Sequence, residues 1–206
     1  MFTVLDGALH VLLVEARAGS FAGWWALPGG RLRPDESLDE GAARELAAQT
    51  GVADVYLEQL YTFGHPQRDP GGRVVSVAYV ALIPHRGTLA PPPSPKYRQT
   101  AWRPVADLPS LAYDHATVVE VAVARLRAKL TYTNLVYTLL PHAFTLGELQ
   151  AMYEAILGRT LDRRNFRKKI LSLGLLCPLA RVRRGPHRPA ALYGFRRRRP
   201  MAVEML

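Results

Sequence analysis

The 206-residue sequence has a single cysteine and no long apolar segment. Cys177 alone forms neither an internal disulfide nor a zinc site, so we expect it to be a small apolar residue in the interior. No apolar run approaches the roughly 20 residues that span a bilayer. The N-terminus has neither the basic start nor the cleavage site of a signal peptide. These absences exclude a disulfide scaffold and a membrane-spanning helix, and we expect a cytoplasmic location without membrane partners.

Acidic residues are scarce in the C-terminal part of the chain. Residues 1–130 contain 13 Lys/Arg and 13 Asp/Glu, whereas residues 131–206 contain 14 Lys/Arg and 4 Asp/Glu and carry the whole net charge of +10. We therefore predict two domains, 1–130 and 131–206, with different functions. A strongly cationic domain favours a polyanionic partner, most often nucleic acid, over a surface that is merely soluble.

Short apolar runs in the first domain predict β-strands. Residues 2–5 and 9–15 flank the pair Asp6-Gly7, which indicates a hairpin because a type I′ turn requires positive φ at both central residues. Residues 74–83, VVSVAYVALI, are continuously apolar or β-branched. This pattern predicts a strand that is buried on both faces.

One motif stands out between these strands. The segment 30–52 reads GRLRPDESLDEGAARELAAQTGV, and residues 38–49 within it favour a helix ended by a glycine. The segment resembles the Nudix box, G-x5-E-x7-R-E-U-x-E-E-x-G-U, where U is a bulky aliphatic residue. The residues that match at this spacing are Gly30, Glu36, Arg44, Glu45, Leu46, Gly51 and Val52. The resemblance implies a Nudix α/β/α sandwich with a mixed sheet, in which Glu36 and Arg44 form a structural pair between loop and helix.

The chemistry of the box requires three carboxylates at helix positions i, i+3 and i+4, which share one helix face and hold Mg²⁺. In this sequence the positions are Glu45, Ala48 and Gln49. Alanine offers no ligand and glutamine only a neutral oxygen, so we expect weak or absent Mg²⁺ binding, no other cofactor, no catalytic residues and no enzymatic hydrolysis. Residual ADP-ribose hydrolysis stays open, since Glu58 and Asp69 are acids that could substitute.

A Nudix domain without hydrolysis retains a pocket shaped for a nucleoside diphosphate. Arginines in this region are expected to contact phosphates, and a tryptophan to stack on a base. The alternative for each is an ordinary role in surface solubility or core packing. The candidate effector-binding residues are Arg17, Trp24, Trp25, Gly29, Gly30, Arg31 and Arg73.

A helix over residues 115–130, with Asp114 as its N-cap, is predicted to close the first domain. Residues 134–140 indicate a short helix. Thr145 and Glu148 then form the capping-box pattern of a helix that runs to about residue 156.

A third helix, residues 163–173, is predicted to begin after the cap Asp162 and to stop at Gly174. Phe166, Ile170 and Leu173 share one face of this helix, and its basic residues fall on the outward side. Two helices in this order form a helix-turn-helix, whose second helix enters the major groove. Its early residues are best placed for base edges, since arginine suits guanine and asparagine suits adenine.

Two extended stretches after this helix flank the turn at 184–189 and indicate a β-hairpin wing, which could contact phosphates or the minor groove. Residues 196–199 add a basic tail that is predicted to contact phosphates. The candidate DNA-binding residues are Arg163, Arg164, Asn165, Arg167, Lys168, Lys169, Arg183, Arg184, His187 and Arg188.

Nearly the whole chain resembles the NrtR family of Nudix-related transcription regulators, through the segments 30–52, 63–82, 102–116 and 144–176. The resemblance implies an α+β chain in which a winged helix-turn-helix follows the Nudix domain. It also implies a repressor of NAD-metabolism genes that senses ADP-ribose or a related nucleotide and binds a palindromic double-stranded DNA operator as a homodimer. The turn GPHRPA at 185–190 departs from the family, where a turn richer in arginine and glycine is usual.

Two other functions remain open at this point. The chain could be an active ADP-ribose pyrophosphatase that also binds DNA, which retained turnover would reveal. It could instead be a sugar-responsive regulator of the same architecture, which ligand-induced melting shifts would distinguish. RNA is a less fitting partner, because a helix-turn-helix is built for the major groove of B-form DNA.

Overall fold

The structure is a computed structural model, and it describes residues 1–51, 55–84, 97–183 and 189–204. It separates into two compact units, made of Met1–Thr3 with Leu9–Val123 and of Val4–Ala8 with Ala124–Leu206. We call these the N-terminal and the C-terminal unit. The predicted domain boundary near residue 130 stays a prediction. Within the described ranges, no helix is both long and apolar enough to cross a membrane.

Residues 2–104 contain a mixed sheet that has six strands within the described residues. The strands are β1 (Phe2–Leu5), β2 (Ala8–Ala16), β3 (Trp25–Ala26), β4 (Tyr56–Phe63), β5 (Ser76–Leu82) and β6 (Tyr97–Pro104). Their order is β3-β2-β1-β5-β4, and β6 also pairs with β2. β1 and β5 are parallel, whereas β2 pairs with β3 and β6, and β4 with β5, in antiparallel fashion. The predicted mixed sheet is confirmed.

The first two strands form the predicted hairpin. Asp6 has φ of 47° and Gly7 has φ of 75°, the two positive values that a type I′ turn requires. Val11 to Val14 in the middle of β2 are completely buried. The hairpin therefore places the central strand of the sheet in the core.

The prediction for residues 74–83 is only half correct. Strand β5 begins at Ser76, and Val75 before it has 56% of its surface exposed. Val80 and Leu82, at the other end, are buried. The reason lies in the register, since β1 starts with Phe2 opposite Leu82, so the earlier half of β5 extends past the start of its parallel neighbour.

Helix α1 (Leu38–Thr50) begins and ends as its sequence dictates. The Ser37 side chain accepts a hydrogen bond from the Glu40 amide, and the Glu40 carboxylate accepts one from the Ser37 amide. Gly51 ends the helix with φ of 68°, a conformation that glycine adopts without strain. Leu46 is buried and anchors the helix in the core. The predicted helix and its glycine stop are confirmed.

Helix α2 (His115–Tyr132) covers the predicted range and has an apolar stripe, with Val118, Ala122, Leu126 and Leu130 all buried. Its sequence spans the point at which the two units divide. Val121, which precedes Ala122 in this helix, is half-buried.

Asp114, predicted to cap α2, has its carboxylate engaged by Arg68. The Arg68 guanidinium donates to both carboxylate oxygens, at 2.9 and 2.6 Å, and to the Ser76 hydroxyl at 2.7 Å. The side chain of Arg68 is only 4% exposed. A buried, bidentate ion pair therefore joins the loop before β5 to the start of α2.

The C-terminal unit has the predicted winged helix-turn-helix order. Its elements are a 3₁₀ helix (Leu135–Thr138), α3 (Leu146–Leu157), α4 (Arg163–Ser172), β7 (Leu176–Arg183) and β8 (Ala190–Phe195). The short helix predicted over 134–140 is a single 3₁₀ segment that ends before Pro141. Tyr153 of α3 packs against Phe166 of α4, with ring centroids 5.4 Å apart, and both are buried. This contact forms part of the core between the two helices.

The helix ends of this unit follow their sequence signals. Thr145 and Glu148 make both hydrogen bonds of the capping box at the start of α3. Gly158 ends α3 with φ of 70°. The Asp162 carboxylate accepts a hydrogen bond of 2.7 Å from the Asn165 amide at the start of α4. The predicted caps are confirmed.

A later segment closes the C-terminal unit. Asn134 is buried; its amide nitrogen donates to the Arg199 carbonyl at 3.1 Å, and its amide oxygen accepts from the Met201 amide at 2.8 Å. The Val203 amide also donates to the Tyr132 carbonyl at 2.8 Å. The segment from Arg199 to Val203 is therefore hydrogen-bonded to the end of α2 and to Asn134, two residues after it.

Cys177 was expected to be a buried apolar residue, and the structure shows it half-buried. It lies on β7 opposite Gly194 of β8, and its thiol contacts the Gly194 carbonyl at 3.4 Å.

Candidate functional site

The box helix carries a compact ionic cluster in which Arg44 is central. Its guanidinium donates to both carboxylate oxygens of Glu36, at 2.8 and 2.6 Å, and to Glu45 at 2.6 Å. It also reaches the Arg31 carbonyl at 3.3 Å. These hydrogen bonds from Arg44 lower the pKa of Glu36 to about 2. The loop before α1 is thus tied to the helix by the pair expected from the box.

The three positions that hold Mg²⁺ in an intact box carry Glu45, Ala48 and Gln49 here. Glu45 is already paired with Arg44, and its carboxylate lies so close to Gly30 that a Cβ at that glycine would overlap it. Ala48 is exposed and Gln49 is buried. Across the described residues, no three His, Cys, Asp or Glu side chains converge as a possible metal site. Of the three ligand positions, only Glu45 offers a carboxylate, and that carboxylate is paired with Arg44.

Glu58 and Asp69, the two acids that could replace the missing Mg²⁺ ligands, are engaged in local contacts. The Glu58 carboxylate accepts a hydrogen bond from the Tyr56 hydroxyl in the same strand. The Asp69 carboxylate accepts one from the Gly71 amide at 2.8 Å. Neither forms a three-member cluster with other potential ligands among the residues that the structure describes.

Two candidate effector residues meet at Tyr97, which the sequence did not single out. The Tyr97 hydroxyl donates to the Gly29 carbonyl at 3.1 Å, and the Gly29 amide lies 3.5 Å from that hydroxyl. The Arg17 guanidinium donates to the Tyr97 carbonyl at 3.0 Å. Tyr97 itself is buried. It therefore holds the glycine turn before the box and orients an exposed arginine.

The two candidate tryptophans differ in their surroundings. Trp24 is 46% exposed and meets Phe21 edge to face, with centroids 5.8 Å apart. Trp25 lies in β3, and the Arg103 guanidinium is 4.8 Å from the centroid of its ring, a cation–π distance. Trp24 is thus the more accessible of the two for stacking on a ligand.

The remaining two candidate effector residues, Arg31 and Arg73, both have exposed side chains. Arg73 donates to the Gly64 carbonyl at 2.5 Å, which fixes the loop before β5. Arg31 contributes its backbone carbonyl to the Arg44 cluster.

His115 supports the turn that leads to the box. Its Nδ1 accepts a hydrogen bond of 3.0 Å from the Leu27 amide. Burial lowers the pKa of His115 to about 4, with Asp114 opposing and Arg68 adding to the shift. The imidazole is therefore neutral at physiological pH, as an acceptor at Nδ1 must be.

Helix α4 separates an apolar face from a cationic one. Phe166 and Ile170 are buried, and Leu173, the third residue predicted for this face, is half-buried at its C-cap. Lys169 is also half-buried. The exposed candidate DNA-binding residues on α4 are Arg163, Arg164, Asn165, Arg167 and Lys168.

The wing contributes one described candidate, Arg183, at the end of β7 opposite Ala190. Its guanidinium pairs with Glu148 in the first turn of α3 and reaches the Ala143 carbonyl at 3.4 Å. Among the predicted residues, Arg184, His187, Arg188 and the box residue Val52 lie outside the described residues.

The basic tail is not simply a phosphate-binding segment. Arg198 donates to the Tyr137 and Leu140 carbonyls at 2.6 and 2.7 Å and to the Pro141 carbonyl at 3.2 Å. Arg196 donates to the Leu176 carbonyl at 3.2 Å. The guanidinium of Arg198 therefore satisfies carbonyls at the end of the 3₁₀ helix, and phosphate contact by the tail stays a prediction.

Comparison with known families accounts for both units. The model of the NUDIX domain matches residues 1–122, and the model of the NrtR DNA-binding winged helix domain matches residues 136–195. The ADPR responsive transcriptional repressor NtrR of Acinetobacter baylyi is 36% identical over 197 residues, which cover 95% of this chain and 79% of that protein. The chain belongs to the NrtR family.

Solved structures of this family support the same assignment. NrtR of Shewanella oneidensis complexed with a 27mer DNA superposes with a TM-score of 0.80 at 35% identity, covering 95% of this chain and 90% of that one. The NUDIX domain of the same NrtR, complexed with ADP ribose, has a TM-score of 0.53 at 39% identity and covers 61% of this chain and 82% of that one. This NrtR family member therefore has the expected Nudix and winged-helix fold.

Proposed function

We propose that this NrtR family member is a transcriptional repressor that binds duplex DNA through α4 and the wing. The observation that carries the proposal is the two-faced nature of α4, in which Phe166 and Ile170 are buried while the opposite face exposes arginine, lysine and asparagine. The second helix of a helix-turn-helix inserts into the major groove, so these side chains are the ones that meet base edges and phosphates. The relative complexed with DNA supports this role.

The N-terminal unit is the proposed sensor, and ADP-ribose or a closely related nucleotide is its effector. The relative whose NUDIX domain is complexed with ADP ribose supports this choice. In this chain, Tyr97 fixes the Gly29 turn and Arg17, while Trp24 offers an exposed ring. A pyrophosphate and a base require these two kinds of group, a cation and an aromatic surface.

We propose further that this sensor does not hydrolyse its ligand. A hydrolytic box needs several carboxylates around Mg²⁺, and here Glu45 is paired with Arg44 while Ala48 offers no oxygen ligand. Regulation of NAD-metabolism genes, by a homodimer on a palindromic operator, completes the proposal. Half-site spacing must match the separation of the two recognition helices of such a dimer.

The test is a fluorescence anisotropy titration with the promoter DNA of the protein's own gene neighbourhood, in the presence and absence of ADP-ribose. We expect binding that weakens as salt rises and a ligand that changes DNA affinity, with DNA changing ligand affinity by the same factor. Asn165→Ala should cost about 1–3 kcal/mol of binding and relax sequence preference. Arg33→Ala, an exposed charge on the N-terminal unit, is the matched control.

Three results would count against the proposal. No binding to duplex DNA at low salt would remove the repressor function. Release of AMP from ADP-ribose with Mg²⁺ would show an active pyrophosphatase. A melting shift with pentoses but not with ADP-ribose would identify a sugar-responsive regulator instead.

A further inference from the structure

Arg183, a predicted DNA contact at the end of β7, is occupied by a carboxylate of its own domain. Its guanidinium pairs with one oxygen of Glu148, while the other oxygen accepts the Thr145 amide at 2.8 Å. Glu148 is thus held in place by its capping role. The Glu148 carboxylate and the Arg183 guanidinium meet at a fixed point on the surface of the C-terminal unit.

This point is where the wing joins the helix-turn-helix. The Phe144 amide donates to the Tyr193 carbonyl at 3.0 Å, and the Tyr193 amide donates back to the Phe144 carbonyl at 2.8 Å. These bonds attach the residue just before the α3 cap to strand β8. Since wings and the starts of helices are common sites of phosphate contact, the ion pair lies in a region where DNA backbone is expected.

The pair is open to solvent, with 46% of the Arg183 side chain and 41% of the Glu148 side chain exposed. Exposed ion pairs contribute little to stability, so folding does not explain why an arginine at the wing should be neutralised. A carboxylate and a phosphate oxygen present the same acceptor to a guanidinium. Glu148 therefore competes for the group that would otherwise bind the DNA backbone.

We propose that Glu148 stands in for a DNA phosphate and withholds Arg183 from the backbone, which limits sequence-independent binding. This inference rests on the proposed DNA-binding function. Phosphate contacts carry no sequence information, so a withheld arginine lowers affinity for arbitrary DNA.

Glu148→Gln tests the proposal, because glutamine also serves as the third residue of a capping box and removes only the charge. On duplex DNA of scrambled sequence, we expect binding to tighten by about three- to tenfold at about 0.1 M salt. The slope of log affinity against log salt should steepen by about 0.9, the value for one added phosphate contact. Arg183→Gln alone should change little.

The double variant Glu148→Gln/Arg183→Gln decides between two causes. We expect it to return close to the wild-type affinity and slope, because the gain requires the freed arginine. If the double variant still binds DNA more tightly than wild type, the effect comes from the lost negative charge alone and the proposal is overturned. An unchanged affinity for Glu148→Gln with an unchanged melting temperature would overturn it as well.

Glu204→Gln, at an exposed acid elsewhere in the same unit, controls for net charge and should leave the slope unchanged. Wild-type protein in the same titration separates the two levels of failure. If wild type does not bind duplex DNA at low salt, the proposed function itself fails. If wild type binds but the Glu148 and Arg183 variants do not behave as described, only the present inference fails.

Discussion

Replacing Arg68 by methionine should strongly destabilise the N-terminal unit. The Arg68 side chain is 4% exposed, and it gives three hydrogen bonds of 2.6 to 2.9 Å to the Asp114 carboxylate and the Ser76 hydroxyl. Removing one partner of a buried pair costs about 3–5 kcal/mol, because the other charge is left without compensation. Asp114 retains 22% exposure, so water recovers part of the loss. We expect about 3 kcal/mol, or about 10 °C in melting temperature for a unit of this size.

Urea denaturation followed by circular dichroism measures this change, with the midpoint and slope fitted together. The double variant Arg68→Met/Asp114→Leu is the matched control, since it removes both charges of the ion pair together. It should be more stable than Arg68→Met alone, because buried ion pairs can be exchanged for apolar residues at little cost. A loss of stability below about 1 kcal/mol for Arg68→Met would refute the reasoning. A double variant whose loss of stability equals the sum of the losses of the two single variants would also refute it.

Two further predictions concern the N-terminal unit. Burial lowers the pKa of His115 to about 4, so the unfolded chain takes up its proton at higher pH than the folded chain does. The free energy of unfolding should therefore fall by up to about 3 kcal/mol as pH drops from about 6.5 to 4. His115→Asn, which keeps an acceptor for the Leu27 amide, should flatten this dependence. Parallel pH profiles of melting temperature for wild type and variant would contradict the prediction. Gly30→Ala should displace the Glu45 carboxylate from the space that the new Cβ needs and cost about 1 kcal/mol. Adding Glu45→Ala should cancel that cost. If denaturation curves showed that the two substitutions lower stability additively, this prediction would be wrong.

Features encoded by neighbouring residues could be predicted from the sequence. The Asp6-Gly7 turn, the Thr145 capping box and the glycine end of α1 each depend on residues within four positions of one another. Turns and caps are local because one side chain satisfies a nearby backbone group. The fold class followed from such signals together with the spacing of the box.

The contacts that organise the candidate sites join residues far apart in sequence. Tyr97 bonds to Gly29, 68 residues away, and Arg183 pairs with Glu148, 35 residues away. No periodicity marks such partners, since only the folded chain brings them together. Arg198 is another example. Its sequence position in the basic tail suggests phosphate contact, whereas its guanidinium donates to the Tyr137 carbonyl, 61 residues away.

The prediction that residues 74–83 form a strand buried on both faces fails for a different reason. A run of β-branched residues predicts burial of a strand on both faces, yet burial depends on which neighbours cover each position. Because β1 begins opposite Leu82, the apolar character of Val75 says nothing about what lies beside it. Sequence pattern identifies a strand more reliably than it identifies the extent of its sheet.

The closure of the C-terminal unit at Asn134 sets the order in which that unit can assemble. The Asn134 side chain bonds to Met201, 67 residues later in the chain. Joining points so distant requires ordering a long loop, and such contacts form late because their entropy must be lost first. On the ribosome, α3 and α4 can therefore pack as soon as they emerge, whereas Asn134 lacks its partners until the segment around Met201 has been synthesised. Nascent chains stalled before that segment should remain more sensitive to proteases near the end of α2 than released chains.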